Sequence, residues 1–373
     1  MTAELELYRS ELRAWLDAHL TADLKDLVRH DRDSDEAFAA HRAWNAVLFD
    51  AGYAAIAWPT EFGGRDAGIE AQLVHVEEMA RAGAPGPVNA IGVANIAPAI
   101  MAYGTDDQKQ RHLRRMLRGD DIWSQGMSEP EAGSDLASLR CAAVRDGDDF
   151  VVNGQKTWNS LGHRADWCQL YVRTDPEVPK HKGITCLLVD MRTPGIEARP
   201  ITTMAGDHSF AELFLTDVRV PCAAVLGDVD EGWHVATRTL SNERAGVAGL
   251  YLTQRGKLDR LLAAAPDLDP VRRDAVVRRY IEVRNLELLA RRTLGAALAG
   301  RAPGPEGSVI KLAWSLTDQA LAATALDVLG MSALSDGWAT NLLGSRSLTI
   351  AGGTTEVNRN IIGERVLGLP KDP

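Results

Sequence analysis

A single carboxylate interrupts an apolar stripe in the last third of the chain. The stripe consists of residues at spacings of three and four: Ala236, Leu240, Glu243, Val247 and Leu250. A helix that begins near Gly232 would place all of them on one face. Burial in that face would raise the pKa of the Glu243 carboxyl toward neutrality, as a general base for a carbon-bound proton requires. An ion pair of Glu243 with Arg238 or Arg244 at the helix surface explains the same pattern equally well.

A second segment, NGQKTWNSLGHRADW, combines an indole with a hydroxyl group. Its first two residues, Asn153-Gly154, predict a hairpin turn, and those that follow predict a strand. Because strand side chains alternate between faces, Trp158 and Ser160 should share one face. There the indole could pack on a flat heteroaromatic ring while the hydroxyl bonds the heteroatoms of that ring. A Trp in the core of a sheet is the commoner alternative.

Two further segments bring backbone amides to places where a ligand could approach. The run WSQGMSEPEAGSD, residues 123–135, is rich in small and hydroxyl side chains and can cradle a phosphate or the edge of a flavin. Gly352 and Gly353 precede two threonines and a predicted helix, so that a carbonyl or phosphate could lie against the backbone. An ordinary turn accounts for each segment as well.

Composition and missing motifs exclude several classes of function. The chain of 373 residues has 41 Lys and Arg against 51 Asp and Glu, a net charge of −10, so its surface offers no basic footprint for nucleic acid. The signatures GxGxxG, GxxxxGK, GxSxG and HExxH are absent, which removes the main support for dinucleotide, nucleoside-triphosphate, hydrolase and zinc-protease chemistry. The nine His are scattered along the chain, so no metal site is predicted.

The sequence also constrains the compartment. It contains no run of about 18 uncharged apolar residues, so no membrane span is expected. The first twenty residues carry three glutamates instead of the cationic leader and apolar run of a signal peptide. The four cysteines are far apart and include no CxxC, as unpaired thiols would be: Cys141, Cys168, Cys186 and Cys222. These features predict a reduced, cytoplasmic location.

The pattern of apolar residues changes twice along the chain. Up to about Gly119 it has helical spacing, as in Leu12 and Leu16. Short runs of branched residues then predict strands, separated by turn signals such as Asp146-Gly147. Helical spacing returns after Gly232. We therefore expect an α+β chain with an N-terminal helical domain (1–120), a small middle β domain (121–226) and a C-terminal helical domain (227–373).

Taken in order, the four segments resemble the acyl-CoA dehydrogenase family of flavoproteins. The resemblance runs from about Glu4 to the C-terminus and rests on MSEPEAGSD, on GQKTWNS with the following ADW, on DVRVP, and on GGTTEVNRNIIGERVLGLP. It implies the fold of that family, with a small β-barrel or sandwich in the middle and a four-helix bundle at the end. It also implies FAD between these two domains, with a flat acyl thioester against the flavin.

The resemblance assigns roles to individual residues. Those implied at the flavin ring are Gln125, Met127, Ser128, Gly133, Ser134, Trp158, Asn159 and Ser160. Those implied at the remainder of FAD are Gly353, Thr354 and Glu356, and those implied at the thioester are Ser134, Ser241 and Arg244. The Gly352 amide and a ribityl hydroxyl would polarise the thioester carbonyl and so acidify the α carbon.

The catalytic base departs from the commonest family pattern. Most members place a Glu immediately before the Gly-Thr of the C-terminal motif, where this chain has Gly352, preceded by Ala351. The isovaleryl and long-chain branches instead place the base where Glu243 stands, so Glu243 is the expected base. The resulting trans-2-enoyl thioester would then carry a branched, cyclic or otherwise bulky acyl group, because the small residues at 351 and 352 leave room.

Two other segments also depart from the family. An Arg, Phe-Gly and Gln segment that reaches the neighbouring subunit's FAD in many members is replaced by RGKLDRLLAAAPDLDPVRR, and DVLGM replaces a double-Gly stretch. Arg346 and Arg279 are therefore candidates for holding the FAD diphosphate. The alternative is that a related, non-identical subunit completes the site.

The resemblance implies an acyl-CoA substrate and electron-transferring flavoprotein as the acceptor, in a homotetramer or homodimer. Three alternatives remain open at this point. One is a non-catalytic subunit of a heteromeric dehydrogenase, which Gly352 and the altered Arg segment favour. The others are an acyl-carrier-protein thioester oxidase and a flavin monooxygenase of the same fold.

Overall fold

The computed structural model describes residues 2–30, 33–245, 249–301, 304–335 and 337–371, without the side chains of residues 29, 30 and 241–245. The N-terminal helices are α1 (Ala3–His19), α2 (Ala22–His30), α3 (Asp35–Asp50), α4 (Ile69–Ala82), α5 (Ala97–Tyr103) and α6 (Asp106–Arg118). The strands are β1 (Trp123–Gly126), β2 (Ala142–Asp146), β3 (Asp149–Ser160), β4 (Trp167–Arg173), β5 (Ile184–Asp190), β6 (Ile196–Ile201) and β7 (Phe210–Pro221). The C-terminal helices are α7 (Gly232–Ala245), α8 (Leu250–Ala264), α9 (Pro270–Leu298), α10 (Gly307–Leu329), α11 (Trp338–Leu348) and α12 (Thr355–Ile361).

Side-chain caps determine where several helices begin. Helix α6 starts with a capping box, in which the Thr105 hydroxyl accepts from Gln108 N and the Gln108 amide oxygen accepts from Thr105 N. The Asp269 carboxylate accepts from two backbone N–H groups at the start of α9, where Pro270 is the first helical residue. Proline suits that position because the first turn of a helix needs no backbone donor from it.

The strands form one curled sheet of mixed direction. Its order is β1-β4-β2-β3-β7-β6, and β5 pairs with β4 off this path. Strand β1 runs parallel to β4, whereas β3 pairs antiparallel with both β2 and β7. The predicted turn at Asp146-Gly147 is confirmed, since it joins β2 to β3.

The predicted hairpin at Asn153-Gly154 is wrong, because both residues lie inside β3. The register against β7 shifts between Val152 and Gly154, which marks a bulge. The Asn153 amide donates to the Asp217 carboxylate at 3.1 Å and accepts from Asp217 N at 2.9 Å. These cross-strand bonds supply the partners that a turn would otherwise have provided, so the strand continues.

One buried cluster joins all three parts of the chain. It includes Ile100 of α5, Leu113 of α6, Trp123 of β1, Tyr171 of β4 and Ala236 of α7, each at most 1% exposed. Because close-packed interiors transmit displacement, this core fixes β1 and α7 relative to one another.

The last part of the chain confirms the predicted four-helix bundle. Helices α8 to α11 share a core that contains Leu258, Leu261, Val283, Leu321 and Trp338. Among the described helices, none is long and apolar enough to cross a lipid bilayer.

A buried His beside β1 makes stability depend on pH. His112 of α6 packs edge-on against Trp123 and Trp167, with ring centroids 5.0 and 4.6 Å away. Burial, with the charge of Arg111, lowers the pKa of His112 from 6.5 to about 4. The unfolded chain therefore binds a proton that the folded chain excludes, and stability should fall as the pH drops from 6.5 toward 4.

Thermal melts across this pH range test that expectation. The Tm of the wild type should decrease toward acid pH, and His112→Phe should remove part of the decrease because the ring can no longer be protonated. Among the described residues, Nδ1 of His112 has no hydrogen-bond partner, so the substitution breaks no hydrogen bond at that atom. An equally steep acid decrease in the variant would contradict the assignment.

Candidate active site

Three hydrogen bonds hold β1 and the loop after it against the end of β3. Ser124 Oγ donates to Ser160 O at 2.9 Å, and Asn159 Nδ2 donates to Gln125 O at 2.8 Å. Thr157 N donates to Ser128 O at 2.9 Å. The structure thus brings together two segments that the sequence proposes separately as ligand-binding.

A buried ion pair completes this junction. Lys156 is 0% exposed, and its Nζ donates to Glu129 Oε1 at 2.8 Å and to Met127 O at 3.1 Å. The Glu129 carboxylate also accepts from the backbone N–H groups of Arg140 and Cys141, at 2.7 and 2.8 Å. Sequence reasoning missed both charged residues. The available signal was a Lys in a strand at even spacing from the apolar Phe150 and Val152.

The indole of Trp158 stands out from the sheet. A second bulge shifts the register between Lys156 and Asn159, and Trp158 has a left-handed φ of 61°. The bulge interrupts the two-residue period before Asn159, so the shared face of Trp158 and Ser160 stays a prediction. Trp158 is 58% exposed and meets Phe210 edge-on with ring centroids 5.9 Å apart, so the core-Trp alternative is wrong.

The residue after the exposed indole is a buried amide. Asn159 is fully buried, yet its Oδ1 has no hydrogen-bond partner among the described residues. Gln125 donates to the Gln169 oxygen at 3.0 Å, which links β1 to β4. The exposed aromatic face of Trp158 suits packing against a flat ring such as a flavin.

The rest of the loop after β1 lies nearer the surface. Met127 and Ser128 are half-buried, whereas Gly133 and Ser134 are exposed. The Asp135 carboxylate accepts from Lys180 Nζ at 2.8 Å, and this hydrogen bond lowers the pKa of Asp135. The loop is thus anchored at both ends while its middle faces outward.

Helix α7 carries the candidate base in its last turn. Position 243 follows Thr239 by one turn and Ala236 by two, and both of those residues are 1% exposed. The side chains of Ser241, Glu243 and Arg244 lie outside the described residues. The backbone therefore places position 243 on the buried face of α7.

The apolar stripe proposed for this helix is wrong in one respect. Helix α7 ends at Ala245, and Leu250 begins a separate helix, α8. Val247 lies outside the described residues. Gly249 is the N-cap residue of α8.

The C-terminal glycine pair forms a left-handed turn. Gly352 and Gly353 have φ of 67° and 88°, and Thr354 caps α12 by accepting from Val357 N at 3.2 Å. Glycine adopts such left-handed φ values without the steric cost that other residues incur. The turn itself therefore accounts for glycine at both positions. The N–H of Gly352 donates to no backbone carbonyl of the described chain.

Two buried side chains that sequence reasoning missed hold this turn. Lys311 Nζ donates to Gly353 O at 2.6 Å, and Asn358 Nδ2 donates to the same oxygen at 2.8 Å. Helix α10, which carries Lys311, packs against both α7 and α12. The turn is therefore connected through α10 to the helix that carries Glu243.

Several residues in and near the segments that depart from the family pattern form hydrogen bonds or ion pairs with other residues of the bundle. Gln254 and Lys257 both donate to the buried Asp318 carboxylate, at 2.8 and 2.5 Å. Arg279 pairs with Glu282 at 2.7 Å, and Arg346 donates to the Gln319 side chain at 3.2 Å.

Three family models match consecutive parts of the chain. They describe the N-terminal, middle and C-terminal domains of acyl-CoA dehydrogenase and cover residues 2–120, 124–218 and 230–367.

Individual relatives agree with these matches. The chain is 38% identical to acyl-CoA dehydrogenase IpdE1 of Mycolicibacterium smegmatis over 99% of both chains. It is 31% identical to a chain of the steroid acyl-CoA dehydrogenase Tcur3481-Tcur3483, with a TM-score of 0.88 over 100% of this chain and 99% of that one. A chain of the ChsE4-ChsE5 complex from Mycobacterium tuberculosis is 33% identical, with a TM-score of 0.86 over 100% and 99% of the two chains.

Proposed function

The chain belongs to the acyl-CoA dehydrogenase family of flavoprotein oxidoreductases, and on that premise we propose that it oxidises the α,β carbon–carbon bond of a bulky acyl-CoA thioester with FAD as cofactor. The product would be the trans-2-enoyl thioester. The observation that carries the cofactor assignment is the exposed Trp158 indole on a strand that is hydrogen-bonded to β1 and to the loop after it.

The residues that would hold the flavin ring come from two connected segments. Trp158 would supply an apolar face, and hydrogen bonds tie Ser160, Asn159 and Gln125 into the same junction. The backbone of Gly353 and Thr354 leads into the N-terminus of α12, a favourable place for a phosphate or hydroxyl of the cofactor. FAD, when bound, accepts the hydride that leaves the β carbon.

The chain itself would supply the proton acceptor and the carbonyl donor. Glu243, in the last turn of α7, takes the α proton. The Gly352 N–H, which bonds no described carbonyl, donates to the thioester oxygen and stabilises the negative charge that develops there.

The small residues at positions 351 and 352 support a bulky acyl group in the substrate. Alanine and glycine replace two larger residues there, so more volume remains beside the proposed thioester. One relative is a steroid acyl-CoA dehydrogenase, which supports a bulky acyl group here.

A second subunit is part of the proposal. Helix α9 presents apolar side chains that are 46–56% exposed: Val277, Tyr280, Ile281 and Leu288. An exposed apolar stripe of this kind favours packing against another chain. The related ChsE4-ChsE5 structure is a complex of two chains. We propose a homo-oligomer, or a heteromer with a related subunit, that passes electrons to electron-transferring flavoprotein.

The visible absorption spectrum of the chain purified alone tests the cofactor assignment. We expect a stoichiometric flavin band that bleaches when a bulky acyl-CoA is added without oxygen. Trp158→Ala should weaken FAD binding about tenfold, or roughly 1.4 kcal/mol, through loss of the aromatic contact. Trp158→Phe serves as the matched control because it keeps a ring.

Three other outcomes would each change the proposal. A colourless chain that takes up FAD only with a related subunit would establish the heteromer. Rapid oxygen consumption without an enoyl product would favour the monooxygenase alternative. Unchanged FAD affinity in Trp158→Ala would contradict the proposed flavin site.

A further inference from the structure

Strand β4 lies between two parts of the proposed active site. On one side it pairs with β1, which leads into the loop proposed to line the flavin, and Gln169 of β4 accepts from the Gln125 side chain at 3.0 Å. On its other side β4 pairs with β5, against which α7 packs. Tyr171 follows Gln169 by two residues, so both side chains lie on the same face of the sheet.

The Tyr171 hydroxyl forms a hydrogen bond with α7. Tyr171 is 0% exposed, and its hydroxyl oxygen lies 3.3 Å from Thr239 Oγ1. The single hydrogen of the Thr239 hydroxyl is donated to Val235 O at 3.0 Å, so the Tyr171 hydroxyl must be the donor to Thr239. Burial raises the pKa of Tyr171 well above its usual range, which keeps the donated hydrogen in place. A hydrogen bond of defined direction therefore joins the sheet to the helix.

Thr239 stands one helical turn before the proposed base. Position 243 follows it by four residues of α7, about 6 Å along the helix axis. Residues at this spacing lie on the same side of a helix. A rotation of α7 about its axis would therefore move position 243 together with Thr239, and the hydrogen bond from Tyr171 opposes that rotation.

The start of α7 is held separately by β5. A Cβ at Gly232 would lie 2.8 Å from Cys186 N, so the helix begins in direct contact with the backbone of the strand. Just before the helix, Asp230 N donates to Thr185 Oγ1 at 2.9 Å. The bond at Thr239 follows about two turns later. Two separate points of attachment set both the direction and the rotation of a rigid helix.

We propose that Tyr171 is a positioning residue, which holds α7 at the rotation that brings the Glu243 carboxylate to the α carbon of the thioester. This inference rests on the proposed dehydrogenase function with Glu243 as the base. Tyr171 acts through Thr239 and the helix. A misplacement of about 1 Å can slow a reaction roughly 100-fold, so loss of the hydrogen bond should affect the chemical step more than substrate binding.

Anaerobic bleaching of the flavin by 3-cyclohexylpropanoyl-CoA tests the proposal. Tyr171→Phe keeps the ring and removes only the hydroxyl. It should lower the bleaching rate at saturating thioester about tenfold to 100-fold, whereas FAD content and the half-saturating thioester concentration should stay near the wild-type values. Thr239→Val removes the acceptor and should cause the same loss. Thr239→Ser keeps the acceptor and should retain the wild-type rate.

Combination with Glu243→Gln shows whether Tyr171 acts through the base. Once the carboxylate is gone, Tyr171→Phe should slow bleaching further by less than about twofold, because no base remains to be positioned; independent effects would multiply. The matched control is Tyr8→Phe, which removes a hydroxyl that is hydrogen-bonded to His75 Nδ1 at 2.9 Å among the N-terminal helices. That control should bleach at the wild-type rate.

Three results would overturn the inference. The first is a Tyr171→Phe protein that bleaches at the wild-type rate, and the second is a rate loss that multiplies fully with that of Glu243→Gln. The third is loss of FAD from both Tyr171→Phe and Thr239→Val, which would show that the hydrogen bond is structural. If the wild type binds FAD and the thioester but never bleaches, the dehydrogenase proposal itself fails, and Tyr171 has no base to position.

Discussion

Glu243→Gln is expected to slow the bleaching of the flavin by substrate about 100- to 10,000-fold, the usual contribution of a positioned general base. The amide keeps the size of the side chain but cannot accept the α proton. FAD content and thioester binding should remain close to those of the wild type, because neither depends on the charge of Glu243. Stopped-flow absorbance under anaerobic conditions measures the bleaching rate directly.

Glu231→Gln is the matched control for this experiment. Glu231 directly precedes α7, is 59% exposed at its side chain and pairs with His234 at 3.0 Å. We expect native bleaching rates from this variant. If Glu243→Gln also bleached at the native rate, another residue would have to be the base.

Lys156→Met should produce the largest loss of stability. The substitution leaves the Glu129 carboxylate buried with two backbone donors but without its cation. Removing one partner of a buried ion pair costs about 3–5 kcal/mol in the free energy of unfolding. Since Lys156 also holds Met127 O, FAD content should fall as the loop after β1 loosens. Calorimetry and the flavin absorbance of the purified protein provide the two measurements.

Two further variants identify the cause of that loss. Glu129→Gln combined with Lys156→Met removes both charges and should recover part of the lost stability. Arg255→Met disrupts an exposed pair with Asp259 at 3.1 Å and should cost no more than about 1 kcal/mol. If Lys156→Met cost no more than this surface change, the buried pair would not be holding the junction.

Local patterns in the sequence predict many of the helices and strands. Helical spacing predicts α1, where Leu12 and Leu16 are buried as expected, and branched runs predict β4 and β5. Glycine and proline mark several connections, among them the one before Pro270. These features depend on neighbours within a few residues, so a sequence pattern suffices to predict them.

Strand β3 shows where local reasoning failed. Asn153-Gly154 has the composition of a tight turn, but its polar groups find partners on β7 instead. The bulge at Trp158 likewise depends on pairing with a strand more than fifty residues away. Pairing between distant strands decided both features, and no nearby residue signals them.

The sequence by itself determined the family, the four segments that carry the proposed chemistry, and Glu243 as the candidate base. Only the tertiary structure decided that β3 clamps the loop after β1 through Lys156 and Glu129, and that Lys311 holds the Gly352–Gly353 turn. The physical reason is that motifs record residue types, which are local, whereas burial and hydrogen-bond satisfaction depend on elements that meet only when the chain folds.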